Sequence, residues 1–263
     1  MASYSIDPDE LLALGERLHA DYVSAEPYPH SVIDDFFPQH VVDAALESFP
    51  APGDLEWRKF DRAQEKKLSS DQERSLPEAV RQLIWEMNSQ VFLQFLQNLT
   101  GIEGLLPDPR LIGGGMHQIE RGGRLGVHVD FNRHPTSKLD RRLNVLLYLN
   151  KDWSEDYGGH FEMWDRQMER CVQRVLPIFN RLVVFSTTET SWHGHPDPLT
   201  CPEDRTRKSL ALYYYTNGRP DSEVAETHST KFRTRPGETV ENKREPLRLR
   251  DFVPPVLTRW RSR

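Results

Sequence analysis

The sequence predicts an α+β chain with an all-β core and helices gathered at its N-terminal end. Three observations predict it. Apolar residues recur at helical spacing through roughly the first hundred residues, then give way to short apolar segments separated by turns. Seven such segments follow one another over roughly a hundred residues. No helical stretch lies between them, which suits a barrel or sandwich rather than alternating βα units.

The elements can be placed in order. Asp7-Pro8-Asp9-Glu10 reads as an N-cap, a proline at the first helical position and acids in the first turn. Leu11, Leu14, Leu18 and Tyr22 continue at helical spacing, so a first helix is expected to run to Tyr22. Pro27-Tyr28-Pro29 stops it. A short strand over 30–37 and a helix over 39–48 follow, and 54–75 reads as polar and irregular. A third helix is expected over 77–99, with Val80, Leu83, Ile84, Met87, Val91, Phe95 and Leu99 on one face. The strands are expected at 116–120, 125–131, 143–149, 160–164, 172–176, 182–186 and 209–216. Three regions result: a helical and mixed support over 1–110, the β core over 111–220, and an extension over 221–263 that includes an apolar stretch at 252–257.

At 263 residues the chain is long enough to bury a sizeable core without staples. Cys171 and Cys201 are its two cysteines, which set no disulfide framework and no cysteine-rich zinc site, as expected in a reducing cytoplasm. Residues 1–10 carry acids and no apolar leader, and the apolar runs are too short to span a bilayer, so no membrane association is expected. The net charge is −6, but Arg219 to Arg263 hold 11 Lys/Arg against 7 Asp/Glu, leaving the rest at −10. An acidic body of that kind argues against nucleic acid as a partner. Nothing in the pattern sets an oligomeric state.

His128-Val129-Asp130 is the first chemical signature. On a strand, residues two apart project from one face, so imidazole and carboxylate point together while Val129 turns into packing. They make two thirds of the 2-His-1-carboxylate face of non-haem iron(II) sites. Alone the triplet is weak, because a chain with 10 histidines produces it by chance. Further on, Leu182-Val183-Val184-Phe185 reads as a buried strand, followed by a loop and then by His193 and His195. Either histidine could complete the set.

From these residues onward the chain resembles the Fe(II)/2-oxoglutarate-dependent oxygenases, and specifically their prolyl 4-hydroxylase-like branch. The resemblance covers roughly 118–216. It implies a double-stranded β-helix of the jelly-roll or cupin-like kind. It favours His193 over His195 as third ligand, from the distance to Phe185. It also places Arg207, at the start of the next strand, against the distal carboxylate of 2-oxoglutarate, a role that suits a planar, permanently charged fork. Lys208 should then face outward and Ser209 inward with Arg207.

Tyr148-Leu149-Asn150-Lys151-Asp152-Trp153 and the later Gly158-Gly159 look like the corresponding segment of the animal oxygen-sensing prolyl hydroxylases, which makes Tyr148 a co-substrate contact. Asn144 shares its strand face and is expected to line the pocket. Where those enzymes carry tyrosines before the His-x-Asp motif, this chain has Gln118 and Leu125. Gln118 is expected to donate a hydrogen bond there, and the prolyl substrate does not transfer.

The resemblance thus implies iron(II), 2-oxoglutarate and O2, with ascorbate as a reductant. The implied reaction is hydroxylation of an unactivated C–H bond of a small metabolite or peptidyl residue, with 2-oxoglutarate decarboxylated to succinate. Asp130 as a carboxylate ligand argues for hydroxylation rather than halogenation. Residues 207–213 lack the Arg-x-Asn-x-Thr-x-Arg strand of the nucleic-acid demethylases. The alternative from another class is a non-catalytic or zinc-bearing β-barrel. Around the expected mouth stand His134, Arg141, Arg142, Trp153, Trp164 and Trp192.

Overall fold

Helix α1 (Pro8–Ser24) begins where the capping residues place it: the Asp7 carboxylate accepts the Asp9 and Glu10 amides at 3.0 and 3.2 Å. The computed structural model describes residues 4–238, so the apolar stretch at 252–257 lies outside the described residues. Strand β1 (His30–Ile33) is shorter than expected, because Asp35 turns the chain at φ 49°. Helix α2 (Gln39–Glu47) follows.

Residues read as irregular form a hairpin, β2 (Arg58–Arg62) and β3 (Glu65–Ser70). Both of its faces are largely polar, so no apolar alternation betrays it. The long third helix is two, α3 (Glu78–Met87) and α4 (Gln90–Thr100). The Ser89 hydroxyl accepts the Phe92 amide and starts a new helix there. The buried face accordingly continues through Phe92, Phe95, Leu96 and Leu99, with Val91 only half-buried.

After the short β4 (Leu106–Pro107) come β5 (Gly115–Ile119), β6 (Arg124–Val129), β7 (Asp140–Tyr148), β8 (Phe161–Trp164), β9 (Cys171–Val175), β10 (Arg181–Ser186), β11 (His193–His195) and β12 (Arg207–Thr216). A final β13 (Lys231–Phe232) lies against β6. The strands run antiparallel in the order β1-β10-β7-β12-β5-β3-β6-β11-β8-β9, a sheet nearly closed into a double-stranded β-helix. β1 and the β2–β3 hairpin belong to this sheet, so the region before 110 supplies barrel strands as well as supporting helices.

The pleat of β7, β10 and β12 divides core from cavity. Leu143, Val145, Leu147, Leu182, Val184, Leu210, Leu212 and Tyr214 are buried with the helices. Asn144, Leu146, Phe185, Ser209, Ala211 and Tyr213, on the opposite face, line the barrel interior. Cross-strand pairing locks this division: Asn144 stands opposite both Phe185 and Tyr213, so a one-residue slip would send every one of these side chains to the wrong face. Among the described residues no helix is long and apolar enough to cross a membrane.

Candidate active site

β6 delivers His128 and, one residue past its end, Asp130; β11 delivers His193, directly opposite His128 in register. One ligand atom from each lies within 4.8 Å of the others. Gly194 permits this approach, since a Cβ there would stand 2.7 Å from the Gly126 carbonyl. His128 Nδ1 lies 2.9 Å from the Gly126 carbonyl and His193 Nδ1 2.8 Å from the Ser191 carbonyl. A carbonyl only accepts, so Nδ1 carries the proton in both rings, and each Nε2 lone pair is left free beside the Asp130 carboxylate as a metal-ligating atom. Burial and the neighbouring His128 lower the His193 pKa, which keeps the ring in the neutral, ligating form.

Asp130 is held as an anion. Burial opposes its charge, but the Arg141 guanidinium beside it outweighs burial and holds the carboxyl well below its usual range. Arg141 Nη2 stands 3.1 Å from Asp130 Oδ2, and the Asn144 amide donates to the same oxygen at 2.7 Å. Asn144 Oδ1 in turn accepts from Arg141 Nε and Nη2. The Asn144 amide thus orients the carboxylate while its side chain lines the cavity.

Arg207 and Ser209 project from β12 into the same cavity, of about 730 Å³. Arg207 is 5 % exposed; its Nε donates to the Gly159 carbonyl at 2.8 Å and its Nη2 to the Tyr148 hydroxyl at 3.3 Å. It forms no ion pair with any described residue. Burial therefore lowers its pKa, with only Tyr148 acting against that. Gly159 (φ 74°) packs so closely that a Cβ would stand 2.9 Å from Arg207 Cδ. Tyr148 touches the guanidinium, not the cavity wall. Lys208 faces out, where its ammonium donates to the Thr206 hydroxyl.

Gln118 requires a correction. Its amide donates to the Pro50 carbonyl and accepts from the Thr206 hydroxyl, outside the barrel. The inward positions of β5 are His117 and Ile119, the other parity of the strand. His117 was missed; burial first, then Lys67, pushes its pKa down to about 3, so it is a neutral ring. Of the six residues expected around the mouth, only Arg141 lines the cavity. The mouth is built instead from the polar hairpin (Arg58, Phe60, Arg62, Lys67), from Arg133, and from residues 227–232.

That last segment lies across the metal strand: Lys231 and Phe232 pair with Val129 and His128, and the Phe232 ring lies 5.3 Å from the His128 ring. Glu189 latches it by accepting from His228 and Lys231. Glu189→Gln is expected to raise amide exchange over 227–232 by less than about tenfold, since half-exposed pairs contribute about 1 kcal/mol or less. Unchanged exchange by mass spectrometry would show that strand pairing alone holds the segment.

A β-helix barrel with two histidines and a carboxylate on one internal face defines a class of metal-dependent oxygenase folds. Residues 114–215 match the model of the 2OG-Fe(II) oxygenase superfamily. A prolyl 3-hydroxylase of Mus musculus, OGFOD1, is 30% identical over 79 residues, covering 28% of this chain and 14% of that protein. The chain thus spans a small part of the curated relative it matches. A Pseudomonas putida prolyl-4-hydroxylase has the same fold, with a TM-score of 0.56 at 20% identity over 79% of this chain and 100% of that one. So has a Trichoplax adhaerens prolyl hydroxylase crystallised with a hypoxia inducible factor peptide fragment, with a TM-score of 0.54 at 17% identity over 79% and 91%.

Iron(II) and 2-oxoglutarate are the groups of this superfamily, and the residues present fit both. Two neutral imidazoles and an ionised carboxylate suit a divalent iron. A buried guanidinium without an acidic partner among the described residues suits the far carboxylate of a dicarboxylate.

Proposed function

We propose that this protein is a 2-oxoglutarate-dependent hydroxylase acting on an unactivated C–H bond of a small metabolite or a peptidyl residue. His128, Asp130 and His193 hold the iron, and Arg207, braced by Tyr148 and Gly159, pairs with the distal carboxylate of 2-oxoglutarate. The bound iron and co-substrate together supply an oxidant able to remove hydrogen from carbon, at the expense of decarboxylation to succinate. The chain's own residues do the rest. Asn144 and Arg141 keep Asp130 ionised and oriented, the Nδ1 hydrogen bonds fix both imidazoles, and Leu146, Phe161 and Phe185 give the cavity dry walls. Ser209 adds a hydroxyl beside Arg207 on the same strand face.

The observation that carries this reading is Arg207: a buried cation facing a metal triad across one cavity, and lacking a protein counter-ion among the described residues. A zinc-bearing or non-catalytic barrel has no use for such a group. Succinate release on addition of iron(II) and 2-oxoglutarate tests the reading, and a protein that binds metal but neither binds nor turns over 2-oxoglutarate would sink it. Both cysteines are free, in keeping with the cytoplasm as the place of action.

The mouth favours a negatively charged substrate. Arg58, Arg62 and Arg133 have no ion pair among the described residues, although the chain as a whole is acidic. In a succinate-coupled screen, carboxylated or phosphorylated compounds and acidic peptides are expected to stimulate turnover more than neutral or basic ones of the same size. Arg62→Glu should erase that preference.

A further inference from the structure

His195 is the buried histidine that the metal triad leaves over. It follows His193 by two residues on β11 and faces Leu125, outside the cluster of ligand atoms. It is 4 % exposed, lines the cavity, and neither ring nitrogen has a hydrogen-bond partner. Buried imidazole nitrogens without partners are rare, because a lost hydration shell is normally replaced by protein or by bound ligand. An unpartnered ring that lines a cavity is therefore an unfilled hydrogen bond that an occupant can complete.

The surroundings say what that occupant presents. Arg207 and Lys67 are the charged groups that act most strongly on His195, followed by the His128 and His117 rings. His128 is turned to the metal, and burial keeps His117 neutral. Lys67 is paired with Glu65 at 3.1 Å, which leaves Arg207 as the uncompensated charge. An imidazole beside an uncompensated guanidinium has an N–H to offer and favours an anionic acceptor.

We propose that His195 donates a ring N–H to the distal carboxylate of bound 2-oxoglutarate, as a second anchoring residue beside Arg207. This rests on the function proposed above, and assigns to the co-substrate a contact that Arg207 and Tyr148 do not supply. Two donors on two different strands, β11 and β12, fix both the position and the rotation of the carboxylate.

The test separates the two ends of the co-substrate. Zinc-loaded protein, which does not turn over, is titrated calorimetrically with 2-oxoglutarate and with 2-oxopentanoate, which carries a methyl group where 2-oxoglutarate has its distal carboxylate. His195→Val should weaken 2-oxoglutarate by about 10- to 100-fold, the worth of one hydrogen bond to a charged acceptor. Zinc affinity and 2-oxopentanoate affinity should not change, and His195→Gln, which keeps an N–H donor, should recover much of the loss.

In the wild-type protein, the His195 ring N–H resonance should move downfield on addition of 2-oxoglutarate and stay put with 2-oxopentanoate. The proposal is overturned if His195→Val binds 2-oxoglutarate like wild type, loses zinc, or weakens both keto acids alike. Wild-type protein that fails to bind 2-oxoglutarate at all removes the proposed function itself, a distinguishable result.

Discussion

Asp130→Ala is expected to lose detectable iron(II) binding and all succinate release, and also to lose stability, whereas His193→Ala loses the first two alone. The difference follows from what each side chain touches. His193 makes its single protein hydrogen bond through Nδ1, and alanine there leaves one backbone carbonyl to be solvated. Asp130 is the counter-ion of Arg141, which is 1 % exposed and stacked 3.5 Å over the Tyr213 ring.

Removing the carboxylate strands that guanidinium in the barrel, and breaking one side of a buried pair typically costs about 3–5 kcal/mol. For a domain whose whole stability is on the order of 5–15 kcal/mol, the melting temperature should fall by several degrees. Asp130→Asn keeps an oxygen for Asn144 and Arg141, and should restore part of the stability without restoring iron. Calorimetric metal titration beside thermal melts of the three variants checks both halves. Equal stability in Asp130→Ala and His193→Ala would mean that Arg141 finds another partner.

How much of this was legible in the sequence depends on which force placed each residue. The inward face of β7 was legible because Asn144, Leu146 and Tyr148 alternate with residues that have to be buried against helices. The run Leu182-Val183-Val184-Phe185 was legible for the converse reason, since a strand buried on both faces has no polar position. The spacing of His128 and Asp130 placed imidazole and carboxylate together on one side of the strand.

What escaped were places where polar residues are themselves the structure. The β2–β3 hairpin shows the cavity Arg58, Phe60 and Arg62, a pattern indistinguishable from a solvated loop until its partner strand is known. The break between α3 and α4 turns on one serine hydroxyl within an otherwise unbroken helical period. At β5 the apolar parity did not decide between His117 and Gln118. Both are polar, and the hydrogen bonds from Gln118 to Pro50 and Thr206 that settle it come from distant segments. Arg141 was placed at the mouth by its charge, when its actual place is beneath Asp130.

Arg207→Ala is expected to raise the dissociation constant for 2-oxoglutarate by roughly 30- to several thousand-fold, since losing one partner of a buried, hydrogen-bonded charge pair costs about 2–5 kcal/mol. Iron affinity should be unchanged, because Arg207 touches none of the three ligands. Arg207→Lys should fall between, keeping the charge but losing the fork that spans Gly159, Tyr148 and a carboxylate at once. Lys208→Ala, one residue on and facing outward, is the control and should leave the constant within about twofold.

The same loss should appear without any turnover. A ligand present at a hundred times its dissociation constant stabilises the folded protein by about 2.7 kcal/mol, so 2-oxoglutarate should raise the melting temperature of the zinc-loaded wild type. At that same concentration the Arg207→Ala protein should show almost none of this rise. An Arg207→Ala protein that keeps the full rise would mean that the dicarboxylate is held elsewhere in the cavity. A damaging Lys208→Ala with a silent Arg207→Ala would mean that β12 presents its other face.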